Sequence, residues 1–211
     1  MRTLLVIVFL GIAAFFGFLV YKTIQDPIDY LKAYGERRQA TIERLEDIKK
    51  AQVAFKDANG KYTASFDTLI DFVEHDSLTR VMSVGELTDE MIDKGITLEQ
   101  AVKNGDIIRK EFKVSVKDEN FGKGFDASQL RYVPFTDKKV FLMRSDSLMS
   151  AAAQMIPVFE ARVHNSVMLS GLEAQYGQLI INTNEEARVN GLYPGLFVGS
   201  VEEINNNAGN W

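Results

Sequence analysis

Two short segments of this sequence bring together side chains of the types used in acid–base and metal chemistry. His75 stands between two acidic residues, and Glu160, Arg162 and His164 recur at every second position. Histidine and carboxylate groups transfer protons near neutral pH, so both segments are candidates for general acid–base catalysis. A polar tripeptide at the beginning of a loop is usually solvated, however, and we therefore predict that His75 is an ordinary surface residue.

The second segment has the alternation of a half-buried strand. Glu160, Arg162 and His164 share one face, while apolar residues from Phe159 to Val163 occupy the other. This pattern favours a structural role, with a small hydrolytic or metal site on the polar face as the alternative. A chain with two histidines offers little for a histidine-based metal site. It contains no cysteine, which excludes disulfides, thiolate metal sites, a cysteine nucleophile and a lipidated cysteine.

A third segment offers oxygen ligands. The loop "KDENFGKGFDAS" at 117–128 contains Asp118, Asn120 and Asp126 with two glycines, a composition that could wrap a calcium ion. Its spacing does not match an EF-hand, and a plain hairpin turn is the favoured interpretation. We predict no catalytic residues and no cofactor other than this calcium candidate.

Composition limits the partners. The 211 residues are 46% hydrophobic, which is enough for one globular domain and some additional elements. The net charge of -5 is spread over mixed acidic and basic residues without a basic stripe, so we expect no binding to nucleic acid.

The chain begins with a strongly apolar segment at 3–21, which is free of acidic and basic residues. As a helix it would be about 28 Å long, close to the thickness of a bilayer core. A signal peptide is the alternative, but the run is longer than a signal core and no cleavage-site pattern follows it. We predict a single-pass anchor at residues 1–22 that contacts the lipid bilayer and conducts no ions.

Small residues in the anchor mark a surface for another helix. Ala13 and Gly17 form a small-xxx-small pair, and Gly11 and Ala14 lie close to them. Small side chains let two membrane helices approach closely. We predict a helix–helix interface at these four residues.

An amphipathic stalk helix follows at residues 23–60. Apolar residues recur at heptad-like spacing, and the helix should end where Asn59 and Gly60 supply a left-handed residue. Anchor and stalk are expected to form one helix, bent near Pro27 and loosened at Gly35. The residues predicted to pack the stalk against the rest of the protein are Leu31, Tyr34, Ile42, Leu45, Ile48 and Phe55.

Residues 61–110 are predicted to form an arm of helices and loops. The segment "SFDTLIDF" reads as a short helix with Ser65 as its N-cap. The polar, glycine-punctuated stretch at 75–110 predicts only short helical pieces. It is interpreted either as a contact surface or as a surface subdomain without a partner.

Residues 111–211 are predicted to form a β-rich head, because the apolar period changes from 3.6 to 2. The predicted strands are "EFKVSV", the hairpin of "RYVPF" and "KVFLM", "IPVFEARVHN", "YGQLIINTN" and "GLFVGSVEE". The stalk stripe and one sheet face each need a partner, so an α+β fold with the sheet on the stalk is expected. Trp211 at the end of a polar tail is expected to pack on the head or on a neighbour.

The first 73 residues resemble type IV pilins and type II secretion pseudopilins. The resemblance rests on the apolar N-terminal helix, the proline beyond it and the turn "AFKDANGKYTASFDTLIDF". It implies a pilin-like fold and a head on the periplasmic side of the inner membrane. Two departures from the prepilin pattern are expected: no short basic leader before the apolar helix, and no glutamate within 3–21. Both departures argue against prepilin processing and ordinary pilus polymerisation.

The orientation signals conflict. Lys22, Lys32, Arg37 and Arg38 follow the anchor, while Arg2 precedes it, so a positive-inside count alone favours a cytoplasmic head. The resemblance favours the periplasm. The predicted function is that of a structural subunit of an envelope assembly in homo- or hetero-oligomeric contact with other membrane proteins. A membrane-tethered module that captures a soluble partner through the arm or the Glu160 face is the first alternative, and a tethered enzyme is the second.

Overall fold

The computed structural model describes residues 2–211, with side chains from Val6 onward. Strands of five to ten residues and helices of four to 17 residues follow one very long N-terminal helix. The elements are α1 (Arg2–Asn59), α2 (Phe66–His75), β1 (Ser77–Val84), α3 (Asp89–Asp93), α4 (Leu98–Asn104), β2 (Ile108–Ser115), α5 (Val116–Asn120), a 3₁₀ turn (Ala127–Arg131), β3 (Leu142–Met149), β4 (Met155–His164), α6 (Asn165–Met168), α7 (Glu173–Val189) and β5 (Gly195–Gly199).

The architecture is α+β, as predicted. Strands β3, β4 and β5 form one antiparallel sheet, and β1 and β2 form a separate antiparallel pair. The upper part of α1 shares one hydrophobic core with the sheet of β3, β4 and β5. Two buried aromatic pairs mark this core: Phe55 lies 5.1 Å from Phe72 and Tyr62 lies 4.8 Å from Phe159, measured between ring centroids.

Helix α1 is continuous through Pro27 and Gly35 and ends at Asn59. Gly60 then adopts φ +73°, a conformation that residues with a side chain rarely take, and its N–H donates to the carbonyl of Lys56 at 2.7 Å. The predicted end of the stalk is confirmed.

Helix α2 is capped as predicted. The Ser65 hydroxyl accepts a hydrogen bond from the Thr68 N–H at 3.3 Å. Leu69, Phe72 and Val73 are buried on one face of the helix, against the upper part of α1. Local capping and a helical apolar period therefore specify this element together.

Short helical pieces were predicted in the segment after α2 and occur there as α3 and α4, but the prediction of no strands in this segment is wrong. It contains the hairpin of β1 and β2, which is paired from Ser77 opposite Ser115 to Val84 opposite Ile108. The connection between these strands contains α3 and α4. Because two helices replace a short turn, the sequence lacks the local signal by which hairpins are usually found. Strand β2 also lies across the predicted boundary between arm and head.

Two of the predicted strands are also wrong. "YGQLIINTN" belongs to α7, in which Tyr176 and Ile180 are buried one helical turn apart. Its apolar residues pack with α1 rather than pairing with a strand. "RYVPF" contributes a single bridge, between Tyr132 and Val140, at a narrow turn. Strand β4 covers the predicted "IPVFEARVHN" except for Asn165, which begins α6, and β5 covers the first five residues of "GLFVGSVEE".

Candidate functional site

The lower part of α1 presents a long apolar surface outside the core. All side chains from Val6 to Tyr21 are exposed. Within the part of the chain that the structure describes, α1 is the one helix long and apolar enough to cross a membrane. It is therefore compatible with a single membrane anchor, because apolar side chains over such a length need lipid or protein around them.

The predicted helix–helix residues lie on this exposed surface. A side chain added at Gly11 or Gly17 would meet nothing within 4 Å. Ala13 and Ala14 are likewise exposed. The head leaves all four residues accessible to a neighbouring helix.

The residues predicted to pack the stalk divide into two groups. Ile42, Leu45, Ile48 and Phe55 are buried in the core, and Tyr34 packs against its edge. Leu31 does not belong to this set, because its side chain is 65% exposed. The head covers the opposite flank of α1 at this height.

Tyr30, and not the predicted Leu31, is the residue that is buried against the head at this point of α1. Its ring lies 5.8 Å from that of Tyr176 and 5.9 Å from that of Tyr34, and its hydroxyl lies 2.8 Å from the Thr183 hydroxyl. Burial raises the pKa of Tyr30. A tyrosine combines an apolar ring with a polar hydroxyl, and this combination is typical of a residue at the partly hydrated edge of a core.

Polar side chains of the upper stalk bind the head and the turn that follows the stalk. Arg37 donates from Nη1 to the carbonyls of Met168 and Ser170, at 3.0 and 2.8 Å. Gln52, fully buried, donates to the Thr63 carbonyl at 2.6 Å and accepts from the Thr63 N–H at 3.2 Å. Arg37 therefore binds the head, and Gln52 binds the turn that connects α1 to α2.

The polar face of β4 holds a network of ion pairs. Arg144 donates to Glu160 Oε1 at 2.8 Å, and Arg162 Nε lies 3.4 Å from the same oxygen. The hydrogen bond to Glu160 raises the pKa of Arg144. Arg162 also lies over the ring of Tyr193, 5.6 Å from its centroid. Glu160 is buried, and these two arginines provide the partners that its carboxylate needs there.

His164 forms no ion pair with this network, although its ring lies 6.1 Å from that of Tyr193. Its Nδ1 accepts the Ser166 N–H at 3.1 Å and thereby caps α6. Burial lowers the pKa of His164. The three residues share a strand face as predicted, but the structure brings together only Glu160 and Arg162. A cavity of about 440 Å³ lies beside these two, lined by Tyr193, Phe197, Ser200, Glu202 and Glu203 as well.

His75 is exposed, as its setting predicts, and it ends α2 instead of beginning a loop. Its Nδ1 lies 3.0 Å from Asp71 Oδ1, one helical turn earlier. An exposed pair of this kind along a helix is worth little energetically.

The calcium candidate is divided between two short helical elements. Asn120, in α5, donates to the Val116 carbonyl at 2.9 Å. Asp126 accepts from the Ser128 N–H at 3.0 Å and from Gln129 Nε2 at 3.1 Å, which lowers its pKa. The segment is therefore not a hairpin turn. Among the described residues, no cluster of three His, Cys, Asp or Glu side chains is placed to hold a metal ion.

The β1–β2 hairpin, which we call the arm strands, exposes apolar residues. Val84 pairs with Ile108 and Arg80 with Phe112, so Met82, Val84, Ile108 and Phe112 share one face, and all four are about half exposed. A cavity of about 360 Å³ separates the base of this face from α1. Arg80 at the base donates to Glu119 at 2.8 Å.

The C-terminal tail is bound to the head. Asn210 accepts the Phe197 N–H at 3.0 Å and donates to the Gly195 carbonyl at 2.9 Å. Gly209 forms a bridge with Val198 of β5, and a side chain at Gly209 would collide with the Trp211 ring. The tail extends the sheet instead of fraying.

Similarity to known proteins adds nothing to this geometry: no protein family, no curated protein and no solved structure matches the chain. Function must therefore be argued from the surfaces described above.

Proposed function

We propose that this protein is a membrane-anchored, pseudopilin-like structural subunit of a cell-envelope assembly, which acts through protein–protein contacts. One observation carries the proposal: helix α1 is unbroken from Arg2 to Asn59 and changes along its length from an exposed apolar span to the centre of the head core. A rigid connection of this kind transmits the position of the head to the membrane and suits a subunit that must be held in register with its neighbours.

The polar bonds of the upper stalk support this reading. Arg37 attaches the head to α1 through two backbone carbonyls, and Gln52 donates to the sulfur of Met143 in β3 at 3.0 Å, in addition to the buried apolar residues between them. A tether that only retained a soluble domain near a membrane would not need such a joint. These polar contacts fix the orientation of the head relative to the helix.

The proposal includes a location, the periplasmic side of the inner membrane. Its support is the resemblance of the first 73 residues to pseudopilins. A cysteine at the exposed Ala64 can test it, because the chain has no other cysteine. Labelling of Ala64→Cys by a membrane-impermeant maleimide in intact cells is the expected result. Labelling only after the cells are opened would place the head in the cytoplasm.

Assembly through the anchor is tested by a double substitution. Ala13→Leu with Gly17→Leu fills the small-residue surface, and we expect smaller particles after extraction in mild detergent. The control is Ile12→Leu with Phe15→Leu, which changes two exposed apolar residues away from that surface. Equal particle size for both variants and the wild type would remove the anchor from the assembly.

A second candidate function is that of a tethered module that binds a soluble partner through the arm strands. The two edges of the hairpin differ: β2 carries Arg109, Lys110, Glu111 and Lys113, while β1 carries only Arg80. Charged side chains normally protect an edge strand from pairing, so β1 is the unprotected edge. An added strand from a partner would complete this two-stranded sheet.

Charges placed on β1 separate the two candidates. Under the binding hypothesis, Val81→Lys with Ser83→Lys abolishes co-purification of a soluble partner without changing the size of the membrane particle. Under the assembly hypothesis in its simplest form, the same variant leaves the set of co-purified proteins unchanged.

A further inference from the structure

The lower part of α1 carries a second apolar stripe, which the head does not cover. Written as a heptad, positions a are Ile7, Ala14, Tyr21 and Ile28. Positions d are Leu10, Gly17, Ile24 and Leu31. The spacing alternates between three and four residues over the whole of 7–31, which is the repeat of a left-handed coiled coil. We call these eight residues the lower seam.

The lower seam continues beyond the membrane anchor. Ile24, Ile28 and Leu31 follow the predicted span, yet their side chains are 62%, 55% and 65% exposed. Lipid accounts for exposed apolar residues inside a bilayer, but these three lie in the stretch where Lys22, Asp26 and Asp29 have already appeared. An aqueous apolar stripe of this kind marks a contact with protein.

Charges are segregated from the seam. Lys22, Asp26 and Asp29 occupy positions b and f, on the far side of the helix. Positions a, d, e and g carry no charged residue from Val6 to Leu31. Two identical helices can therefore pair in register along this face without bringing like charges together. The seam ends where Gly35 and Arg38 occupy the next a and d positions.

Residue types on the seam favour two strands. Ile at position a followed by Leu at position d is the combination preferred in parallel dimers. It occurs at both ends of the seam, in Ile7 with Leu10 and in Ile28 with Leu31. The small residues Ala14 and Gly17 between them allow close approach within the bilayer.

The geometry of the head leaves room for the second helix. At the height of Ile28 and Leu31 the head buries Tyr30, which at 3.6 residues per turn lies roughly 130° around the helix from the midline of those two residues. Two copies inserted into one membrane in the same direction present their seams in parallel.

We infer that a second copy of this chain packs along residues 7–31 of α1 as a parallel, in-register, two-stranded coiled coil. The inference rests on the proposed membrane-anchored function and names the first partner of that surface. The heads of the two copies then lie on the outside of the pair.

Single cysteines in native membranes test this arrangement, since the chain contains no other thiol. Ile24→Cys, Ile28→Cys and Leu31→Cys are placed on the seam, and Asp26→Cys and Asp29→Cys serve as controls on the other face. After mild oxidation we expect a covalent dimer of the full chain at the three seam positions, at a yield several-fold above that of the controls.

Equal yields at all five positions, or a maximum at Asp26 and Asp29, would overturn the inference. A disulfide-independent readout comes from Leu31→Glu, which sets like charges across the seam and should reduce cross-linking through Ile24→Cys several-fold. Cross-linking that Leu31→Glu leaves unchanged would equally count against the seam.

The seam and the assembly can fail separately. A large native particle without the seam pattern would preserve the proposed function and reject the paired helices. A seam pattern in a particle that contains two copies and no other protein would preserve the pair and reject the envelope assembly.

Discussion

The two parts of helix α1 use similar heptad spacing for different neighbours. Above Tyr30, one stripe is buried by α2, α7 and the three-stranded sheet, with Leu45 and Ile48 fully inaccessible. Below Leu31, the other stripe is exposed along its whole length. A heptad pattern therefore indicates that one face of a helix contacts another element. Which element it contacts depends on the rest of the fold.

The chemistry of the two stripes differs as well. The upper stripe includes Thr41 and Gln52, both fully buried, whose polar atoms have hydrogen-bond partners within the chain. The lower seam contains glycine, alanine and aliphatic residues, with Tyr21 as its only polar member. Buried amides specify a unique partner surface, whereas small apolar residues suit close contact between helices in lipid.

The largest expected effect comes from two leucines of the same helix. Leu45→Ala should destabilise the head by about 2–5 kcal/mol, because it removes fully buried methyl groups and leaves a cavity. In the chain dispersed as a monomer by excess detergent, Leu31→Ala should change the free energy of unfolding by less than about 0.5 kcal/mol, because its side chain is 65% exposed there. Urea unfolding in detergent, followed by circular dichroism, measures both. Similar losses for the two variants would mean that the head covers the lower stripe.

Two glutamines sharpen the comparison. Gln52→Ala should cost about 1–3 kcal/mol, because it leaves the N–H and carbonyl of Thr63 without partners in a buried region. Gln25, whose amide donates only to Asp29 at 3.0 Å on the helix surface, is the matched control. Its replacement by alanine should be nearly neutral in the same unfolding experiment. A neutral Gln52→Ala would show that water reaches Thr63.

The cap of α2 should have a smaller effect. Ser65→Ala removes the acceptor for the Thr68 N–H, and we expect a loss of about 1 kcal/mol. A less stable α2 weakens the packing on the upper stripe, because α2 holds Leu69 and Phe72 against α1. Ser65→Asp restores an acceptor at the same position and should recover most of the stability. Failure of this rescue would point to a cause other than capping.

The smallest expected effect is a dependence on pH. Lys117 donates to Glu74 at 2.7 Å and the Ala127 N–H donates at 3.1 Å, which together hold the pKa of Glu74 below its ordinary value. A depressed carboxyl pKa stabilises the fold above the unfolded pKa of about 4.3, and this contribution is lost as pH falls further through the folded pKa. The free energy of unfolding of Glu74→Gln, measured at several pH values, should therefore decrease less between pH 5 and pH 3 than that of the wild type. Identical slopes would contradict the assigned role of the Lys117 contact.

Local signals in the sequence predicted several elements of the fold. The Ser65 cap, the left-handed Gly60 and the alternation of β4 each depend on residues within a few positions of one another. The arm strands and α7 depend on distant partners. Strand β1 pairs with β2 across an intervening pair of helices, and "YGQLIINTN" lies in a helix whose Tyr176 packs on Tyr30 of α1.

The candidate surfaces show the same division. The small residues of the anchor could be identified from the apolar run alone. Leu31 was given to the wrong stripe, because at heptad spacing both Tyr30 and Leu31 fit a continuous pattern and only the position of α7 decides between them. The network of Arg144 with Glu160 could not be predicted, since it depends on the register of β3 against β4.

The mass and protein content of the native particle test the central claim most directly. The particle would be extracted from membranes in mild detergent through a C-terminal tag, and its mass measured together with the identity of each protein in it. The proposed function predicts several copies of the chain, alone or with other envelope proteins. A lone monomer would contradict it.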